Sequence, residues 1–300
     1  MAFEKQAVNY AAQYQQALSQ MFPYVLYFGA LHNTENNGRF RWVNEKTIEI
    51  PTISTSGRTN ADRDSIGTKA RRWNNQWTPK VLKNERSWQT LVHPRDIDQT
   101  NVAASIQNIT QVFNNEQKFP EMDAYLISEL YAAWVAAGKA PISVALDNTN
   151  VLVKFDEMYQ AQTEARVPTA GRALYITPAV DTILKNAVGI ARNFDVQAQS
   201  PVIQRAVSVL ERTPVEVVPS ELMKTVYNFT EGWEIGVSAK QIQMLLVHPD
   251  AVITPVSYEF AQLDPPAAGS GGKYDYYEES HEDVFILPKK ESALGFVLAP

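Results

Sequence analysis

Cysteine is absent from the 300-residue chain. That excludes disulfide scaffolds, thiolate metal centres and cysteine nucleophiles together. It suits a reducing cytoplasm, or an exposed particle that needs no disulfides. Long apolar runs are also missing: the Ala-rich stretch from Leu130 to Gly138 has nine residues, whereas a bilayer-spanning helix needs about 20. The opening MAFEKQAVNYAAQYQQ has neither a basic n-region nor an apolar centre, so it does not read as a signal peptide. Histidine is scarce. His32, His93, His248 and His281 lie far apart, and His93 and His248 each precede a proline at the end of a strand-like run. Those are boundary positions rather than ligand positions. The glycine-rich nucleotide loops, the zinc-protease helix motif and the serine nucleophile elbow are missing. No catalytic residue, cofactor or metal site is therefore expected.

What is present is ordinary globular composition, 45% apolar and 20% charged. The net charge of −6 is unevenly spread. Residues 39–95 hold twelve Lys and Arg against five Asp and Glu, so this stretch is +7 and the remainder is −13. A basic segment on an acidic body fits nucleic acid, or it fits the body of another copy.

No internal repeat is visible. Residues 2–20 read as a polar helix or arm with Tyr10, Tyr14 and Leu18 on one edge, and Pro23–Gly29 reads as a strand. After the Asn37-Gly38 turn signal, RFRWVNEKTIEIPTIS alternates in part and reads as a strand. Gly57–Lys80 is almost free of aliphatics, and Val81–Val92 reads as the returning strand. The result is a hairpin of about sixty residues, too long for an ordinary connection. It has no core of its own, so it is disordered or lies on something else. Trp42, Trp73, Trp77 and Trp88 fall within it. Disordered segments are poor in aromatics, and Trp with Arg is the chemistry of interface anchors. An intermolecular contact surface is the expectation, carried by Arg58, Arg63, Lys69, Arg71, Arg72, Trp73 and Trp77.

Beyond the hairpin, Asp98 or Thr100 is the expected cap of a helix through Val102, Ile106, Ile109 and Phe113. Pro120 opens a second, Ala-rich helix that stops at Gly138. Asn148 or Thr149 caps a third, reaching about Glu164. Ala173–Thr177, Pro214–Pro219 and Gln241–Pro249 read as strands, Pro178 opens a helix, Pro265–Lys273 is a loop, and the last two apolar runs close the chain as strands. Helices and strands mix without βαβ regularity, which gives an α+β class.

Two clusters carry blander readings. EESHED, Glu278–Asp283, reads as a solvated acidic patch, and Asp62–Gly67 lacks the terminal glutamate of a calcium loop. Direct nucleic-acid binding by residues 58–80 stays open as an alternative, with salt-sensitive affinity as its mark, although the −13 body repels phosphate. So do a tail or connector component and a hydrolase with an unrecognised site. A segment of one copy lying on the body of the next is a heterologous contact, which builds rings or arrays.

Several stretches resemble the major capsid proteins of tailed bacteriophages, the Hong Kong-97-like fold. WQTLVHPRDIDQTN (Trp88–Asn101) followed by FPEMDAYLISELY (Phe119–Tyr131) is similar to the passage from extended loop to spine helix. EARVPTAGRALYITPAVDTIL (Glu164–Leu184), PVEVVPSELMKT (Pro214–Thr225), AKQIQMLLVHPDAVITPV (Ala239–Val256) and the closing DVFILPKKESALGFVLA follow in the family's order.

The resemblance implies an N-terminal arm at 1–35 and an extended β-hairpin loop at 36–95. It implies a peripheral domain with the spine helix at 96–140, and a mixed α/β axial domain at 141–300 that returns through the peripheral domain around 245–290. It further implies a virion protein, assembled in the host cytoplasm, that forms pentamers and hexamers and then an icosahedral or elongated shell. The shell encloses DNA without sequence-specific binding, has a portal and touches no membrane. Only about 35 residues precede the hairpin, so a separate scaffolding protein is expected. Lys69 and Lys80 are available loop lysines, but no motif identifies partners for the covalent crosslink some relatives form.

Overall fold

The computed structural model describes residues 24–32, 34–38, 40–58, 71–99, 105–187 and 207–300. The expected helix at 2–20 lies outside them. In chain order the first elements are α1 (Gly29–His32), β1 (Arg41–Asn44), β2 (Thr47–Thr55), β3 (Trp73–Val81), β4 (Asn84–Val92) and α2 (Pro94–Gln99). The middle holds α3 (Ile106–Phe113), α4 (Phe119–Ala136), β5 (Ile142–Ser143), α5 (Val151–Glu164), β6 (Ala173–Ile176) and α6 (Pro178–Lys185). Then come β7 (Val209–Leu210), β8 (Thr213–Val217), β9 (Tyr227–Asn228), β10 (Glu234–Ile235), β11 (Ile242–Val247) and β12 (Val252–Ile253). The last are β13 (Val256–Asp264), β14 (Tyr274–Glu282), β15 (Phe285–Ile286) and β16 (Leu294–Leu298).

The centre is a six-stranded mixed sheet in the order β5-β16-β11-β6-β8-β7. β11 and β6 are apolar at nearly every position because both of their faces are covered. Met244 and Leu246 face one core with Leu174 and Ile176, under α5 and α6. Leu245 and Val247 face the other with Tyr175, under α4 and the segment Phe28–Leu31. β16 comes so close to α5 that a Cβ on Gly295 would stand 3.3 Å from the Met158 sulfur, which explains glycine there.

The helices begin differently from expectation. Residues 94–99 form their own short helix, and Ser105 caps α3 by accepting from the Asn108 amide at 3.4 Å. α3 and α4 are one rod: a π-helical turn, Asn114–Lys118, joins them with helical backbone throughout. Pro120 stands in the first turn of α4, as expected, and the π turn before it has already loosened the hydrogen-bond ladder, so its missing donor is accommodated although the backbone runs on from α3. The rod stops at Gly138 as expected, with φ of +80°. For α5 the capping position is Asn150, because the Asp147 carboxylate takes the amides of Thr149 and Asn150.

Pro23–Gly29 is not a strand. In its described part the backbone donors turn to α4 instead. The amides of Tyr27 and Phe28 and the Tyr24 hydroxyl all donate to the Asp123 carboxylate, at 2.9, 3.3 and 2.6 Å. Arg172, fully buried, closes the end of α5 in a related way. Its guanidinium donates to the carbonyls of Tyr159, Val167 and Pro168 and to the Thr163 hydroxyl. A cation there also answers the negative end of the helix dipole.

Candidate inter-subunit surface

The basic segment folds as an antiparallel arm, but its partner strands differ from those expected. β2 pairs with β3 over nine residue pairs, from Thr47↔Val81 to Thr55↔Trp73, and β1 flanks β2. The stretch 73–80, expected as part of a polar tip, is therefore the second strand of the hairpin. Its alternation of Trp73, Asn75 and Trp77 is carried by aromatics and amides instead of aliphatics. β4 belongs elsewhere. It pairs with β14, and the hairpin β13–β14 completes a second three-stranded sheet, β13-β14-β4.

Strand alternation gives the arm two unlike faces. One carries Ile48 and Ile50, which sink with Leu82 into a small cluster with Ile253 and Leu287. Lys289 adds a bond from its ammonium to the Ile53 carbonyl at 2.8 Å. These contacts root the arm on the body. Register places Pro51, Ile53, Trp73, Trp77, Pro79 and Val81 on the other face. Ile53 is 63% exposed, Trp73 53% and Trp77 37%.

Cations lie on the rings. The Arg41 guanidinium sits 4.0 Å from the centre of Trp77 while binding Glu49 at 2.7 Å, and Arg71 sits 5.3 Å from Trp73. The result is an open apolar face tipped by cations, of a kind that monomers seldom leave bare. Thr52 and Ser54 turn to the opposite face and bond to the carbonyls of Gln76 and Asn74.

Of the anticipated residues, Arg71, Arg72, Trp73 and Trp77 stand together where β3 begins, all exposed, and Arg58 is exposed just past β2. Arg63 and Lys69 lie outside the described residues. Trp42 is exposed on β1, but Trp88 is no anchor. It stacks on Phe113 at 3.8 Å between rings and meets Tyr276 edge-on. Sequence reasoning missed Arg41, Ile53 and Val81; the period-2 pattern running through Thr47–Thr55 was the available signal.

The acidic run EESHED is also corrected. It lies on β14, packed against the rod, with Glu278, His281 and Asp283 buried. Lys118 reaches Glu278 at 3.3 Å, Arg86 of β4 reaches Glu121 at 2.5 Å, and the Tyr125 hydroxyl donates to Asp283 at 2.9 Å. Burial raises the pKa of Glu282, Glu121 and Glu129. The run is covered because the rod packs on it and supplies partners, Lys118 for Glu278 and Tyr125 for Asp283. Among the described residues no cluster of His, Asp and Glu is arranged to hold a metal ion, and no helix is long and apolar enough to cross a membrane.

No family model and no curated protein matches the sequence. The fold does have solved counterparts. The asymmetric unit of the bacteriophage PhiM1 mature capsid superposes with a TM-score of 0.69, covering 97% of this chain and 92% of that one at 10% identity. The capsid of cyanophage P-SCSP1u gives 0.63, with 97% and 93% covered at 11% identity. A Mycobacterium phage Che8 structure gives 0.61, with 97% and 98% covered at 13% identity. The class is therefore an α+β chain with the Hong Kong-97-like fold of phage capsids. The likeness spans 97% of this chain in each case.

Proposed function

We propose that the chain is the major capsid protein of a tailed bacteriophage. One observation carries this: a superposition that covers nearly the whole of this chain and nearly the whole of a phage capsid chain. The protruding, one-sided arm supports it, since shell subunits need a contact that differs at its two ends. Copies form pentamers and hexamers, and these close into a shell around packaged DNA held without sequence-specific contact. A separate scaffolding protein and a portal act during assembly in the host cytoplasm. The chain is structural and catalyses no reaction. In this reading residues 1–35 are the N-terminal arm and 36–95 the extended loop, with β4 already part of the peripheral sheet. The rod at 96–140 is the spine, and 141–300 form the axial domain with a return through the peripheral one at 245–290.

The test is electron microscopy with light scattering on the protein produced alone and with its flanking genes. Closed shells, or five- and six-fold capsomers, support the reading. Rings or tubes point to a tail or connector component. A compact monomer under every condition overturns it.

A further inference from the structure

Among the described residues, β13 is the long strand that ends a sheet without protection. It forms the edge of the β13–β14–β4 sheet and runs for nine residues, with Val256 and everything from Tyr258 to Asp264 exposed. A bare edge offers backbone donors and acceptors to any strand that reaches it, and folded proteins blunt such edges with brevity, proline or charge. The other edges here are blunted in those ways. β5 and β7, which end the central sheet, have two residues each, as do β9, β10, β12 and β15. β1 has four. β3 carries Pro79, which lacks a donor, and Lys80 beside it. β4 carries Glu85 and Arg86, and the Arg86 guanidinium is tied to the carbonyls of Phe229 and Gly232.

β13 has no proline, and from Val256 to Leu263 its one charge is Glu259. Tyr258 is 46% exposed and Leu263 48%, and the rings of Tyr258 and Phe260 lie near-parallel with centres 6.3 Å apart. The edge is therefore apolar and rich in strand-forming side chains. A bulge between Val256 and Tyr258 disturbs its root, while Tyr258–Asp264 runs in unbroken register along β14.

Such a strand can pair with its own copy about a two-fold axis. Symmetry then requires one residue to lie opposite itself. Centring on Glu259 sets two carboxylates against each other, which is unfavourable. Centring on Phe260 carries the pairing into the bulge. Centring on Ala261 overlaps the whole regular stretch. Phe260 then meets Gln262, Glu259 meets Leu263 and Tyr258 meets Asp264, strand to strand. No acid faces an acid, and a small side chain sits on the axis.

We infer that the open edge of β13 pairs with β13 of a second copy of this chain, antiparallel about a two-fold axis, with Ala261 opposite Ala261. Two three-stranded sheets become one of six strands. The contact closes on two copies and cannot propagate. It rests on the capsid reading for its place: head-to-tail contacts build a ring of subunits, and this one joins a ring to its neighbour.

Because the chain has no cysteine, introduced thiols are unique. Opposite Cα atoms of an antiparallel pair lie about 4.5–5.5 Å apart, within the span of a disulfide. Glu259, Ala261 and Leu263 are all exposed. Particles carrying Ala261→Cys are oxidised with copper phenanthroline and run on a denaturing gel without reductant. The inference expects covalent dimers and nothing larger. Glu259→Cys alone should give none, since its two copies stand four residues, about 13 Å, apart along the strands. Glu259→Cys with Leu263→Cys should restore dimers. Monomers from both Ala261→Cys and the double variant overturn the pairing and leave the capsid reading standing. A ladder of joined chains from the double variant also overturns it, by showing a head-to-tail contact. If the unmodified chain forms no particles, the capsid reading and the inference fall together.

Discussion

Asp123 gives the sharpest stability prediction. It is fully buried on α4, and three donors from residues 24–28 converge on it. Burial moves its pKa up from 3.8 to about 6, and the donors limit the rise. The folded chain thus holds this proton more tightly than the unfolded one. The stability it lends is complete below pH 3.8 and is lost as pH rises through about 6. Between pH 4.5 and 7.5 that loss integrates to about 2 kcal/mol.

Asp123→Asn removes the titration. It also turns an amide toward the Phe28 N–H, leaving a buried donor unmet at a cost of about 1–3 kcal/mol. The variant should be clearly less stable than the parent at pH 4.5 and should close most of that gap by pH 7.5. Urea unfolding of unassembled protomer, followed by tryptophan fluorescence across that range, reads the difference. Burial also raises Glu121, Glu129 and Glu282, but these titrate in both proteins and cancel. Parallel pH profiles for parent and variant would refute the reasoning.

Trp73→Ala with Trp77→Ala should leave circular dichroism and melting of the protomer unchanged, since both rings are exposed, while particle yield in sedimentation collapses. Arg172→Ala should lower the melting temperature by the equivalent of about 3 kcal/mol or more, because several acceptors are orphaned at once. Arg172→Lys should not restore it, since an ammonium lacks the planar fork. Gly295→Val should cost about 1–3 kcal/mol in the same melt by pushing α5 off β16 at Met158.

The parts legible in the sequence were those whose neighbours along the chain decide them. Ala173–Ile176 and Ile242–Val247 announce a sheet buried on both sides, Pro178 and Gly138 mark helix ends, and the charge asymmetry marks the arm. What stayed hidden depended on distant partners. Pro23–Gly29 looks like a strand until Asp123, about a hundred residues away, takes its amides. Trp88 looks like the other arm tryptophans until β14 claims β4 and Phe113 covers the ring. EESHED looks solvated because acids usually are, yet Lys118 and Tyr125 of the rod reach in to its register. The exposed rings and cations at Arg71–Trp77 were visible as a type of surface. The face they share with Ile53 needed the β2–β3 register, which no local pattern supplies.

The most direct measurement is a side-chain-resolution electron-microscopy reconstruction of the assembled particle. The account predicts a closed shell of five- and six-fold capsomers in which Trp73 and Trp77 of each copy are buried against its neighbour. Tubes or isolated rings, or a shell in which the arm's Trp face stays open to solvent, would contradict it.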